Sequence, residues 1–137
     1  MTNKIAGFVF DRAGLGRFEK FLDLASFEHK HLSANLANAA TPGYRSRSID
    51  FFAEFRRMTG AGPKLPLMAT DKAHISSSVP ETHPEVASTA PQEGELNSVD
   101  VDREISSMAQ NELLYTTAAR LLKMRLDGLR KAITSKE

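Results

Sequence analysis

A chain of 137 residues with 41% hydrophobic residues and a net charge of +1 has room for one domain. Its charge balance favours neither a nucleic-acid binder nor a ligand for strongly acidic partners. The chain has no cysteine, which excludes disulfide scaffolds and thiolate metal sites and suits passage through an oxidising space.

The first apolar run, Ile5 to Phe10, falls well short of the roughly 20 residues needed to span a bilayer. Asp11 and Arg12 follow at once with no small-residue cleavage site. The expectation is a chain that leaves the cytoplasm, if it does, without a cleaved signal peptide.

A single domain, residues 1–137, divides into three parts. From 11 to 38, Leu15, Phe18, Leu22, Ala25, Leu32 and Leu36 recur at spacings of three and four, with His29 as the polar break. That spacing predicts an amphipathic helix with a heptad seam. Gly14 and Gly16 weaken its first turns by about 1 kcal/mol each against alanine.

The segment 39–99 loses this pattern. Five of the six prolines lie between Pro63 and Pro91, beside a Ser76–Ser78 run, and such a composition rarely buries enough apolar surface to offset its ordering entropy. Short extended pieces are expected at 64–68 and 97–101. The basic-aromatic stretch of Tyr44, Arg45, Arg47, Phe51, Phe52, Phe55, Arg56 and Arg57 reads as a helix or extended segment packed on a neighbouring subunit, with the arginines at its rim. Its alternative is a weak single-stranded nucleic-acid-binding module, in which arginines track phosphates and the rings stack on bases.

From 100 to 133, Ile105, Met108, Tyr115, Ala119, Leu122, Leu126, Leu129 and Ile133 form a second seam, broken at Glu112. Asp100, Asp102 and Glu104 suit its start and Arg130 and Lys131 its end, given the helix dipole. The fold class is therefore mainly α. Long terminal helices pair as an antiparallel coiled coil around a Pro/Gly/Ser-rich, partly disordered middle with room for short β segments. One register would set Leu36 beside Ile105 and His29 beside Glu112. Two apolar stripes bury too little to order so many residues, so neighbouring chains are expected to supply the rest.

Between the parts stands a corner, "NLANAATPGY", Asn35 to Tyr44. Pro42 cannot continue a helix, and Pro42-Gly43 fits the centre of a type II turn, where a positive φ is needed. Asn35 and Asn38 can cap the carbonyls of the helix end or reach a neighbouring chain. Few other residues suggest chemistry. His29 and His31 point to different helix faces, and His74 and His83 lie in the middle with Glu81 and Glu85. No phosphate loop or nucleophile elbow is present, so neither an enzyme nor a metal or cofactor site is expected.

The corner N-x-x-N-A-x-T-P-G-Y at the end of an N-terminal amphipathic helix resembles the signature of flagellar rod and hook axial proteins. Asn35, Asn38, Thr41, Pro42, Gly43 and Tyr44 fill its positions. "TDKAHI", Thr70 to Ile75, and the C-terminal "NSVDVDREISSMAQNELLYTTAARLLKMRLDGLRKAI" look like blocks of the proximal rod members, with a distal, FlgC-like member as the alternative.

The resemblance implies a structural subunit of the basal-body rod. Such subunits are exported unfolded by the flagellar type III apparatus and polymerise in the periplasm, through their terminal helices, into a tube that transmits torque and conducts export. Its implied partners are other rod subunits and copies of itself, the hook–basal body protein FliE, the export gate and the membrane ring. Nucleic acid and small-molecule substrates are not implied. The six corner residues are then candidate subunit contacts. Leu15, Phe18, Leu22, Leu32, Leu36, Ile105, Met108, Tyr115, Leu122, Leu126 and Leu129 are candidate helix-packing positions.

Overall fold

The computed structural model describes residues 14–60, 84–91 and 97–134. Its five elements in chain order are α1 (Leu15–Ala37), β1 (Ser46–Ser48), α2 (Phe51–Met58), β2 (Ala87–Thr89) and α3 (Val101–Thr134). The expectations placed on residues 11–13, on the 64–68 piece and on His74, Glu81 and His83 lie outside the described residues.

Gly14 stands at the N-cap of α1 with φ 68° and no side-chain cap, a left-handed conformation that glycine adopts at little cost. α1 and α3 run antiparallel. The start of α1 lies beside Leu122 and Leu126. Asn111, midway along α3, reaches Ala25 and Glu28, and Asn97, just before α3, reaches the Ala39 carbonyl beyond the end of α1.

α2 falls in the basic-aromatic stretch, for which a helix is one of the two forms expected. Asp50 caps it, accepting from the Ala53 N–H at 3.0 Å. Phe51, Phe55 and Met58 then fall on one face, which packs on Phe21, Leu24 and Ala25 of α1. The Phe21 ring meets Phe51 and Phe55 edge-on at 4.8 and 5.2 Å, an arrangement the ring quadrupoles favour. Lys20 Nζ donates to the Met58 carbonyl at 2.7 Å, satisfying an acceptor at the end of α2. The basic-aromatic stretch is therefore folded onto its own chain. Its stacking faces at Phe51 and Phe55 are occupied by Phe21, and Glu54 holds Arg57 at 2.6 Å.

β1 and β2 form a two-stranded antiparallel ladder, with Ser46 opposite Thr89 and Ser48 opposite Ala87. The expected extended piece at 97–101 is not a strand. The chain bends at Ser98, Asp100 accepts from the Arg103 N–H at 3.1 Å, and α3 starts at Val101.

The inner helix face also differs from the expected seam. On α1 the seam residues Leu15, Ala25 and Leu32 are buried together with Leu24 and Asn35, whereas on α3 the buried residues are Asn111 and Ala118 and the expected Ile105, Tyr115 and Leu126 remain 51%, 43% and 43% exposed. Two constraints explain the rotation. α1 serves α2 as well as α3, which widens its inner face, and α3 turns small residues to α1 so that the backbones approach closely. His29 and Glu112 are both exposed. The polar contact sits one position back on each helix, between Glu28 and Asn111 at 2.8 Å.

Phe51 is 6% exposed and joins α2 to α1. Phe51→Ala is expected to cost about 3–5 kcal/mol in denaturant unfolding, whereas the 61% exposed Phe52 should tolerate alanine within about 0.5 kcal/mol.

Candidate functional site

The end of α1 turns through two successive closures. Asn38 Nδ2 donates to the Ala34 carbonyl at 2.8 Å and the Asn38 N–H to the same oxygen at 3.1 Å, which satisfies an acceptor at the helix end. The Thr41 hydroxyl donates to Asn38 Oδ1 at 3.3 Å. The Tyr44 N–H then closes on the Thr41 carbonyl at 3.3 Å around Pro42 and Gly43, whose φ of 72° is what the third position of a type II turn requires.

Asn35 organises the chain beyond this turn. It is 1% exposed, and its carboxamide meets both backbone groups of one residue. Nδ2 donates to the Arg47 carbonyl at 2.8 Å, and Oδ1 accepts from the Arg47 N–H at 3.0 Å. A neighbouring strand would offer the same donor and acceptor pair, so a helix side chain stands in for a strand at the free side of β1. Tyr44 Oη donates to the same Oδ1 at 3.3 Å.

Ser98 completes the corner from the far end of the chain. Its hydroxyl accepts from the Ser46 N–H at 2.8 Å and donates to the Thr89 carbonyl at 2.7 Å, bridging the paired residues of β1 and β2. Its own N–H donates to the Tyr44 carbonyl at 3.2 Å. Asn97 accepts from the Val99 N–H at 3.0 Å while its amide holds Ala39. Asn97 and Ser98 do not stand out as site residues in the sequence. The only available signal is an Asn-Ser pair ahead of an Asp helix cap, which is also common in ordinary loops.

Four of the motif side chains, those of Asn35, Asn38, Thr41 and Tyr44, thus make contacts inside their own chain. Thr41, Pro42 and Gly43 stand exposed at the tip. Of the seam residues, Leu15, Ala25 and Leu32 are buried. Phe18, Leu22, Leu36, Met108, Leu122 and Leu129 are half-buried. Phe18 and Phe21 join Phe55, Leu114, Ala118 and Leu121 around an open apolar groove of about 400 Å³.

Beneath the corner, between α1, β1 and the first turns of α3, lies a polar cleft of about 240 Å³ lined by Glu28, His31, Arg47, Asp100, Arg103 and Glu104. Burial pushes the Glu28 carboxyl above its ordinary value, opposed by the Asn111 hydrogen bond. Burial, and secondarily the Arg47 charge, holds the His31 imidazole below its ordinary value. Glu104 Oε2 is buried without a hydrogen-bond partner among the described residues. Among those residues no group of three or more His, Asp or Glu side chains could hold a metal ion, and no helix is long and apolar enough to cross a membrane.

The sign of the His31 effect is set by linkage. As pH falls, the unfolded chain takes up the histidine proton first. Stability is therefore fully present above about 6.5 and is lost as pH falls from there through the lower folded value. His31→Gln is expected to make the fall in thermal midpoint between about pH 7 and pH 5 shallower than in the unsubstituted chain. The effect of Glu28 runs in the opposite direction and is common to both chains.

No family model matches the chain. Curated relatives do match, over nearly its whole length. The flagellar basal body rod protein FlgB of Cereibacter sphaeroides is 36% identical over 124 residues, covering 89% of this chain and 94% of that one. FlgB of Aquifex aeolicus is 31% identical, covering 88% and 92%, and FlgB of Escherichia coli is 32% identical, covering 85% and 90%. With relatives this similar, aligned nearly end to end, the chain belongs to the FlgB family of flagellar basal body rod proteins.

Proposed function

We propose that the chain is a structural subunit of the proximal rod of the flagellar basal body. It polymerises through α1 and α3 into a tube that transmits torque and conducts export. Family membership supports the rod. The observation that carries polymerisation is the apolar surface that α3 leaves uncovered: Leu113 and Met124, nearly in line along its outer side, are 67% and 61% exposed, and Ile133 near its end is 76% exposed. Scattered apolar side chains are ordinary on a surface, but a helix that offers this many over its length has a second packing face to cover. A repeated head-to-tail contact through such a surface grows a filament when its rotation does not close a ring.

The same reading gives the chain no catalytic role. It is carried across the inner membrane by the flagellar export apparatus without signal cleavage and assembles in the periplasm. Its neighbours are further copies of itself and other rod subunits, FliE, the export gate and the membrane ring. The corner residues Asn35 to Tyr44 contribute by fixing the directions of the helices, with the exposed Thr41, Pro42 and Gly43 tip available to a neighbour.

Basal bodies purified from cells lacking the gene, complemented with the unsubstituted chain or with Leu113→Ser/Met124→Ser, test this reading. The parent chain is expected to restore the rod and to be found in it by mass spectrometry. The double variant should retain the helicity of the free chain and yet restore swimming at less than about a tenth of the parental level. Normal rods without the chain, or normal assembly of the double variant, would contradict the proposal.

A further inference from the structure

Asn111 is 3% exposed in the contact between α1 and α3, a position where apolar packing would be the ordinary solution. Its amide nitrogen donates to the Ala25 carbonyl at 3.1 Å and to Glu28 Oε2 at 2.8 Å, both on α1. Its neighbours in sequence, Glu112 and Leu113, face outward, Leu113 at 67% exposed. A second tie, Asn97 to Ala39, holds the other end of the pair. This second tie joins the turn after α1 to the segment just before α3, so the end of α1 and the start of α3 are held together.

We propose that Asn111 is the specificity-determining residue of the helix pair. It sets the rotation and register of α3 on α1, and so decides which apolar side chains are left outward for neighbouring copies. The assembly half of this statement rests on the rod reading above; the register half does not. The reason is one of alternatives. A slip of α3 along α1 that kept the same face inward would preserve much of the apolar contact. It would carry the Asn111 amide, still buried, away from both acceptors, and an unpaired buried amide is costly enough to exclude that register. A buried polar residue gives up stability and gains a single register, as a lone asparagine does at the core of a coiled coil. The Glu28 carboxylate supports this by presenting an acceptor only at one height along α1.

The chain has no cysteine, so two can be introduced and labelled without background. Spin labels at Lys30→Cys and Gln110→Cys, both at exposed positions, report the distance between the helices in the full-length soluble chain. The unsubstituted background is expected to give one narrow distribution. Asn111→Leu should keep its helicity by circular dichroism and give a broadened or split distribution displaced by several ångströms, about the 5.4 Å rise of a turn for an axial slip. Glu28→Gln, which keeps an acceptor for Asn111, should retain the narrow one.

The proposal is overturned by a narrow distribution unchanged in Asn111→Leu, by a broad one already present in the parent, or by loss of helicity in Asn111→Leu. The last would mean that the residue holds the fold rather than choosing among registers. In cells, Asn111→Leu is expected to be incorporated into basal bodies at least tenfold less than the parent. Full incorporation despite a displaced distribution overturns the link to the outward face. The label distances do not depend on any flagellar role, so a failure of the rod reading is told apart by the deletion experiment.

Discussion

The structure depends on one buried carboxamide. Asn35 sits at the last inward position of α1 and satisfies both backbone groups of Arg47, twelve residues further on. Its burial at 1% exposure would be costly if either bond were absent, so the turn between the two residues must bring Arg47 back to the helix. Pro42 and Gly43 supply that turn, and Tyr44 supplies a third contact to the same amide oxygen. With Arg47 fixed, Ile49 and Asp50 are delivered to the side of α1, and α2 starts where Phe51 can meet Phe21 and Leu24. The C-terminal helix is tied to the same point, because Ser98 bonds to Tyr44, Ser46 and Thr89.

This arrangement separates two tasks. Polar groups, namely Asn35, Ser98, Asn97 and Asn111, set positions, while a modest apolar cluster around Leu24, Ala25 and Phe51 supplies burial. Large apolar residues of α3 are left out of that cluster. A chain built this way is well defined in geometry and short of buried surface, which is the balance expected where further burial comes from assembly.

The parts legible in the sequence are those set by local chemistry. The end of α1 is readable because Pro42 and Gly43 restrict the backbone whatever surrounds them, and the start of α3 because Asp100 caps it within three residues. The pairing of the long helices is implied by their periodicity. α2 leaves signals, an Asp50 cap and Phe51, Phe55 and Met58 at helical spacing, but eight residues in a Pro/Gly-rich neighbourhood give periodicity too little length to work on. β1 and β2 leave none: Ser-Arg-Ser and Ala-Ser-Thr do not alternate, and their ladder is bridged by a serine from elsewhere in the chain. The expected seam is displaced from the true contact by about one residue because counting large apolar residues favours Ile105 and Tyr115. The contact with α1 instead selects Asn111 and Ala118, whose small size lets the helices approach.

Amide hydrogen exchange in Asn35→Ala shows whether the Asn35 amide holds the corner. The Arg47 N–H, protected in the parent, is expected to exchange at least tenfold faster in the variant. The Ser46 and Ser98 amides should do the same, while those in the middle of α1 keep their protection. An Arg47 amide that stays protected in Asn35→Ala would mean that the strand is held by something other than the asparagine, and would contradict the account.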